Sequence, residues 1–273
     1  MKIIILIDNT SDPSSTLKAE HGLSIYFEIN SMKYLLDVGA SGKFAENAAT
    51  LGIDIAEIDL TILSHAHRDH TGGLAEFLRL NNKAKIYLSS HIPGNRYFST
   101  RRGAKRDISA DNVLFEKYPE RFLKVDQDLQ ITPEIRLISH IPQRFDRPAG
   151  NRTLLTNDLP DDFRHEIAIH IDTPKGNLLL SSCSHHGVLN TLAAGGNKQT
   201  IAYIGGTHLI DSDAENQYES DEQLKNMAKE IATAYPVLTL YTGHCTGLNA
   251  QNIFSEILKE RFTAFYSGFE LEI

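Results

Sequence analysis

The sequence predicts a layered α/β protein. Short segments rich in β-branched and aromatic residues alternate with segments whose apolar residues recur at helical spacing, as is typical of layered α/β domains. In addition, four apolar segments each end in a Gly- or Ser-rich turn that carries histidine. Because the active sites of such proteins gather at strand ends, this second observation also predicts one shared functional site.

The first ninety residues alternate between predicted strands and helices. Strands are predicted where β-branched or aromatic residues end at turn formers, over Ile3–Ile7, Leu23–Ile29, Tyr34–Asp37, Ile58–Leu63 and Ile86–Ser89. One helix is predicted over Lys43–Leu51, where Phe44 and Ala48 fall on the same face as Leu51. A second is predicted over Leu74–Leu80, directly after a histidine-rich turn.

The alternation resumes after residue 165. Strands are predicted over Glu166–Asp172, Leu178–Ser181, Ile201–Ile204 and Val237–Tyr241. The segment 174–177 has the composition of a hairpin turn. A helix is predicted over Asp221–Ala234, since the helix dipole favours acidic residues in the first turn.

The region from about residue 91 to 157 is less regular. Its cations crowd one stretch, which contains Arg96, Arg101, Arg102, Lys105 and Arg106. Two interpretations stay open: a solvated insertion, or a lid whose cations meet an anionic substrate such as a phosphate. No repeat or linker separates two domains, so we predict one domain over residues 1–273 with a basic insertion at about 91–157.

Composition narrows the class of protein. Hydrophobic residues make up 41% and charged residues 23% of the chain, which is ordinary for a globular protein. The net charge of −8 argues against nucleic acid as a partner. No apolar run approaches the ~20 residues that span a bilayer, and the first residues resemble a strand more than a signal peptide. With only two cysteines, the chain is predicted to be cytoplasmic, without a structural disulfide or a membrane partner.

The segment 64–73 predicts a metal site. Four metal-competent side chains fall within six positions: His65, His67, Asp69 and His70. Histidines two apart on an extended segment point the same way, and Gly72 and Gly73 permit a sharp backbone path after them. Nitrogen and carboxylate ligands without thiolate suit zinc, iron or manganese. The segment is therefore interpreted as a strand that ends in a loop holding more than one ion.

Three further histidines follow predicted strands: His185, His208 and His244. A single histidine of this kind is more often structural, but the same pattern at four strand ends is better explained by one site. His208 is interpreted as a group that contacts substrate or acts as an acid or base, because imidazole titrates near neutral pH. The alternative is a structural histidine at a strand end.

The motif HAHRDHTGG resembles the HxHxDH signature of the metallo-β-lactamase superfamily. The surrounding sequence resembles its branch of small prokaryotic metal-dependent hydrolases that includes dihydropterin-type phosphate synthases. Other matching segments are Asp8–Asn9, Glu20–Ser24, Leu36–Gly39, Asn47, Cys183–His185, Gly205–Leu209 and Thr242–Gly247. The resemblance implies a four-layer αββα sandwich with a dinuclear metal site at one edge.

Ligand counting then assigns the side chains to two divalent ions, with zinc as the first choice and iron or manganese as alternatives. A dinuclear hydrolytic site holds its ions ~3.5–4 Å apart. His65 and His67 are assigned to the first ion, and Asp69 and His70 to the second. His185 is chosen to complete the first ion and His244 the second, and the resemblance implies that His244 is the last ligand of the superfamily.

One feature departs from the superfamily pattern. Better-known members have a bridging aspartate where the strand Leu178–Ser181 ends, but here Ser182, Cys183 and Ser184 follow. Three interpretations remain: His185 supplies the missing ligand, His165 does so at the start of the hairpin, or Cys183 contributes a thiolate. We rank His185 first, because this branch of the family also carries Cys-Ser-His at the position.

The predicted function is metal-assisted hydrolysis of an ester or phosphoester. Two ions lower the pKa of a bound water from ~15.7 toward ~7, and Asp69 is expected to orient that water. The resemblance further implies that Asp37 orients a metal ligand, and a structural Asp-x-Gly turn is an equally physical account of this residue. The resemblance also suggests a small, anionic substrate such as a pterin-like phosphorylated compound. The alternatives are a non-catalytic metal-binding sensor and an iron-dependent redox protein of the same fold.

Overall fold

The chain forms two compact units, each built on its own seven-stranded sheet. The structure is a computed structural model that describes residues 1–195 and 199–273. Unit 1 comprises Met1–Phe98, Arg106–Asp126 and Phe265–Ile273, and unit 2 comprises Ser99–Lys105 and Gln127–Ala264.

The strands, numbered in chain order, are β1 (Lys2–Ile7), β2 (Ser24–Ile29), β3 (Met32–Leu36), β4 (Leu60–Ile62), β5 (Lys85–Ser89), β6 (Tyr97–Ser99), β7 (Arg106–Asp107), β8 (Phe122–Val125), β9 (Leu129–Gln130), β10 (Ile135–Ile138), β11 (Leu154–Thr156), β12 (Leu159–Pro160), β13 (Ala168–Thr173), β14 (Gly176–Leu180), β15 (Thr200–Ile204), β16 (Thr239–Thr242), β17 (Phe262–Ala264) and β18 (Glu270–Glu272). The helices are α1 (Lys43–Thr50), α2 (Arg68–Thr71), α3 (Leu74–Leu80), α4 (Asn112–Lys117), α5 (Val188–Ala194), α6 (Asp221–Ala234) and α7 (Leu248–Leu258). The strands and helices predicted from the sequence are confirmed, with most bounds shifted by one or two residues.

The sheet of unit 1 has the order β18-β1-β2-β3-β4-β5-β8. β1, β2 and β3 pair antiparallel, whereas β3, β4, β5 and β8 pair parallel. Helices α1 and α3 contribute Phe44 and Phe77 to a core with Ile4, Leu35 and Ile86, and all five side chains are fully buried. Burial of such side chains, at ~1.5–3 kcal/mol each, is the main force that holds the helices on this sheet.

The sheet of unit 2 has the order β17-β16-β15-β14-β13-β10-β9. β14, β15, β16 and β17 pair parallel, and β13 pairs antiparallel with β14 through a two-residue turn. Helix α6 begins with a capping box between Ser220 and Gln223, which explains why its start could be predicted. Its apolar face packs with that of α7 in a core that includes Leu224, Ile231 and Phe254.

The segment 91–157 contains regular elements that the sequence did not predict. β8 pairs parallel with β5 in unit 1, and β10 pairs antiparallel with β13 in unit 2. The organisation as one domain with a basic lid stays a prediction. Within the described residues, no helix combines the length and the apolar character needed to cross a membrane.

Candidate metal centre

Two parallel strands bring Asp37 and the histidine motif together in unit 1. β3 and β4 pair with Leu36 opposite Ile62, so both strands end at the same level. Asp37 directly follows β3 and has a φ of 60°, a left-handed conformation that is uncommon outside glycine. Such strain persists where the surroundings over-determine it, which is common at functional sites.

The carboxylate of Asp37 is a hydrogen-bonding centre at these strand ends. It accepts from the backbone N–H of Ser64 at 2.7 Å, from the Ser64 hydroxyl at 2.6 Å, and from Nδ1 of His70 at 2.8 Å. An ionised carboxylate only accepts, so the proton of His70 lies on Nδ1 and the lone pair on Nε2. The Ser64 hydroxyl donates to Asp37, so its oxygen accepts from Nδ1 of His65 at 2.8 Å.

The imidazoles of the motif lie close together. The ring of His65 has its centroid 4.6 Å from that of His67 and 4.1 Å from that of His70. All three rings are buried. One turn of helix, α2, brings Asp69 beside them, with its Oδ2 3.6 Å from Nε2 of His70 and 3.4 Å from Nε2 of the exposed His21. The four side chains predicted from the motif therefore meet within unit 1.

The two residues after the motif must be glycines, because there is no space for a Cβ at either position. Both have right-handed backbone angles, so a left-handed conformation is not their purpose. A Cβ on Gly72 would lie 2.2 Å from the carbonyl oxygen of Ala40, and one on Gly73 would lie 2.1 Å from that of Val38. The close approach of these backbones holds the motif against the turn after Asp37.

Part of the predicted insertion borders the motif in unit 1. The backbone N–H of Arg68 donates to the carbonyl of Ile108 at 2.8 Å, and His67 forms an isolated β-bridge with Ser109. Of the five clustered cations, Arg96 pairs with Asp107. Lys105 pairs with Asp158 within unit 2. These two positive charges are therefore largely compensated.

Three parallel strands gather the other predicted residues in unit 2. Leu180 of β14 pairs with Ile204 of β15, which pairs with Tyr241 of β16, so the three strands end at one level. The turns after these strands contain the three residues His185, His208 and His244. In these turns Ser184, His208 and His244 all have φ near 50°, the same left-handed conformation as Asp37.

His185 is held from three directions. Its Nδ1 lies 3.0 Å from Oδ1 of Asn151, and its ring stacks on that of Phe163 with centroids 4.6 Å apart. Its backbone N–H donates to the buried carboxylate of Glu166 at 2.7 Å. Because an amide oxygen only accepts, Nδ1 of His185 carries the proton and Nε2 keeps the lone pair.

His208 lies beside His185, with ring centroids 4.2 Å apart. Its buried Nδ1 has no hydrogen-bond partner among residues 1–195 and 199–273. Donor atoms of Cys183, His185 and His208 lie within 4.8 Å of one another, and so do those of Cys183, His244 and Cys245. Unit 2 thus brings its predicted residues together around the thiol of Cys183.

The alternative ligand His165 has a different environment. Its Nε2 lies 3.0 Å from Oδ2 of Asp161, and both side chains are buried. One ring nitrogen of His165 is therefore paired with a carboxylate. By contrast, both His185 and Cys183 take part in a group of converging donors.

Cys183 and Cys245 are both buried, and neither forms a disulfide bond. Burial acts to raise the pKa of Cys245, but hydrogen bonds with Cys183 and His208 and the proximity of His244 outweigh it and hold that pKa well below its usual value. The backbone N–H of His208 donates to this sulfur at 3.3 Å.

Sequence reasoning missed the residues that position His185. Asn151 lies in the irregular segment, and nothing in the local pattern marks it. Phe163 stands between charged residues, and the apolar residues around it show neither helical nor strand periodicity. Glu166 carried a usable signal, because an acidic residue at the start of an apolar strand becomes buried only with partners, and here these include the N–H groups of His185 and His186.

Known proteins are similar to this chain in sequence and in fold. Residues 18–227 match the family model of the metallo-β-lactamase superfamily. The 7,8-dihydropterin-6-methyl-4-(β-D-ribofuranosyl)-aminobenzene-5'-phosphate synthase of Methanocaldococcus jannaschii is 29% identical, over 98% of this chain and 95% of that protein.

Solved structures also show similarity to this chain. Tm1679, a metal-dependent hydrolase of the β-lactamase superfamily, superposes with a TM-score of 0.81 and 27% identity, over 100% of this chain and 99% of that chain. The Zn²⁺-bound PqqB of Methylobacterium extorquens has the same fold, with a TM-score of 0.56 and 12% identity over 100% of both chains. The predicted fold class and the predicted class of enzyme are confirmed, and the specific reaction is left open.

Proposed function

Because the chain belongs to the metallo-β-lactamase superfamily, we propose that it hydrolyses an ester or phosphoester of a small anionic substrate, using water activated by two divalent metal ions. The proposal rests above all on the way three imidazoles are held. His65, His70 and His185 each engage Nδ1 in a hydrogen bond, which leaves the lone pair on Nε2. Metal-binding histidines are oriented in this way by an outer layer of hydrogen bonds.

The donor chemistry fits divalent metal. Imidazole and carboxylate ligands suit zinc, iron and manganese, and zinc is our first choice. We assign His65, His67 and His185 to the first ion and Asp69, His70 and His244 to the second. Cys183 is the competing ligand, since its sulfur converges with both His185 and His244. When bound, such ions make hydroxide available at neutral pH and polarise the oxygen of the scissile group.

The chain's own residues then supply orientation and proton transfer. Asp69 accepts a hydrogen bond from the attacking water and directs its oxygen at the scissile carbon or phosphorus. That bond to water forms as the bond to the leaving-group oxygen breaks. The leaving oxygen takes a proton from His208, whose Nδ1 has no partner in the described part of the chain. The proton that the attacking water gives up passes to solvent, from which His208 is protonated again. The products are an acid and an alcohol.

The substrate class is proposed from two observations. A relative matched over 95% of its length has a name that includes a dihydropterin and a 5'-phosphate. The segment 91–157 also carries several cations. A pterin-like phosphorylated compound is therefore the specific candidate. The cytoplasmic location stays a prediction, which fractionation of cells of the source organism would check.

The test is metal-dependent turnover by the purified protein. Metal content is measured by elemental analysis, and activity is measured on phosphomonoesters, phosphodiesters, carboxylic esters and lactones. We expect chelation to abolish turnover, added zinc to restore it, and His67→Ala to lack it. His140→Ala, at an exposed histidine, is the matched control and should behave as wild type. Stoichiometric metal without turnover on any substrate class would favour the sensor.

A further inference from the structure

A cluster of two arginines and one tyrosine in unit 2 has no role in the chemistry described above. The guanidinium carbon of Arg152 lies 5.1 Å from the ring centroid of Tyr218, and that of Arg101 lies 5.7 Å from it. Both contacts are in the range of cation–π interactions. Tyr218 itself is buried, with 8% of its surface exposed. We call these three residues the Tyr218 cluster.

The polar atoms of the Tyr218 cluster make few hydrogen bonds within the described residues. The hydroxyl of Tyr218 is buried and makes no hydrogen bond to any residue of the described ranges 1–195 and 199–273. Within the same ranges neither arginine forms a salt bridge, whereas the neighbouring Lys105 does. Arg152 donates one hydrogen bond, to the carbonyl of Gln217. The charge of Arg101 acts on the carboxylate of Asp213. An unpartnered buried hydroxyl costs free energy, so its retention beside two guanidinium groups points to a ligand.

One member of the Tyr218 cluster, Arg152, lies in the segment Ala149–Thr153 that also holds His185. Arg152 directly follows Asn151, whose side chain binds both Nδ1 and the backbone carbonyl of His185. The chain after His208 returns to this turn, where Glu219 accepts a hydrogen bond from the backbone N–H of Ala149 at 2.5 Å. A group bound by Arg152 would therefore lie next to the residue that positions a proposed metal ligand.

We propose that the Tyr218 cluster binds the terminal phosphate of the substrate, so that a phosphomonoester remote from the scissile bond anchors the molecule. The inference rests on the proposed function, since it concerns the substrate of the same site. Two guanidinium groups and one hydroxyl offer several donors around one ring. That number suits the three oxygens of a phosphomonoester better than the two of a carboxylate.

The experiment is calorimetric titration of the as-purified protein with inorganic phosphate, and with acetate as the carboxylate probe. Arg101→Met and Arg152→Met should each weaken phosphate binding about tenfold or more, the usual effect of losing a charge-assisted hydrogen bond. Arg102→Met, at the exposed neighbouring arginine, is the matched control and should leave binding unchanged. Acetate should bind more weakly than phosphate and should not respond to the substitutions.

Tyr218→Phe separates a binding role from a structural one. The hydroxyl has no partner in the described chain, so its removal should leave the melting temperature unchanged or raise it. Phosphate affinity should still fall, by about two- to tenfold. If both arginine variants bind phosphate as wild type does, the inference is overturned even when metal-dependent turnover is present. If binding falls in both variants but no ester is turned over, the anion site stands and the proposed hydrolase function does not.

Discussion

The buried carboxylate of Asp37 accepts a hydrogen bond from Nδ1 of His70 at 2.8 Å, across 33 residues of sequence. Both side chains are fully buried, and Asp37 reaches this position through a left-handed backbone conformation. The contact determines which nitrogen of His70 can coordinate a metal. A residue outside the histidine motif thus decides the chemistry of a residue within it.

Asp37→Ala should impair both stability and metal binding. Removing the buried carboxylate leaves His70 and Ser64 without their acceptor, at a cost of about 3 kcal/mol in the free energy of unfolding. Affinity for metal should fall 10–100-fold, because His70 is no longer oriented. Urea unfolding of the metal-free protein and competition with a chelator measure the two effects. Asp54→Ala, a carboxylate outside this network, should change metal affinity little; equal loss in both variants would contradict the assignment.

Asn151→Ala should lower the affinity for one metal ion and leave the affinity for the other unchanged. Asn151 holds both Nδ1 and the carbonyl of His185, and we assign His185 to the first ion alone. Elemental analysis after dialysis against a weak chelator should therefore find about one ion per chain where wild type retains two. Loss of both ions together, with the fold intact by circular dichroism, would argue that the two sites are not separable.

His185→Ala and Cys183→Ser distinguish the competing ligands. If His185 completes the first ion, His185→Ala loses one ion and Cys183→Ser keeps both. Replacing the native metal with cobalt provides an independent readout, because a coordinated thiolate produces a charge-transfer band in the near ultraviolet. We expect no such band in the wild-type protein. A band that disappears in Cys183→Ser would assign the ligand to the thiol.

Asp107 should make the free energy of unfolding depend on pH in the acidic range. Burial acts to raise the pKa of Asp107, but hydrogen bonds from Ser109 and Arg96 and the charge of Arg96 lower it to about 2. The folded pKa lies below the unfolded value of 3.8, so this stabilising contribution is present above about pH 4 and is lost as the pH falls toward 2. Asp107 is about one-third exposed, so the effect should be small.

The measurement is urea unfolding of the metal-free protein between pH 5 and pH 3, comparing wild type with Asp107→Asn. The difference between the two curves should shrink as the pH is lowered. Arg96→Met should show an intermediate slope, because Ser109 still donates to the carboxylate. Parallel curves for wild type and Asp107→Asn would show that this ion pair has no net effect on stability.

The sequence alone determined the elements whose signals are local. Leu74–Leu80 and Asp221–Ala234 have the bounds predicted for them, because apolar spacing and a capping box act within a few residues. The HAHRDH motif predicted converging metal ligands for the same reason, since an extended segment and one helical turn place its side chains together. Segment 91–157 lacked such local signals, and its strands pair with partners elsewhere in the sequence.

Only the tertiary structure decided how His70 and His185 present their ring nitrogens. The partner of His70 is 33 residues away and that of His185 is 34 residues away, and no period in the sequence links them. Parallel pairing of β3 with β4 brings Asp37 to His70, whereas Asn151 reaches His185 from the segment Ala149–Thr153. The hydrogen bonds then select the tautomer. The residues that can bind metal can therefore be predicted from the sequence. Their orientation depends on long-range hydrogen bonds that form only on folding.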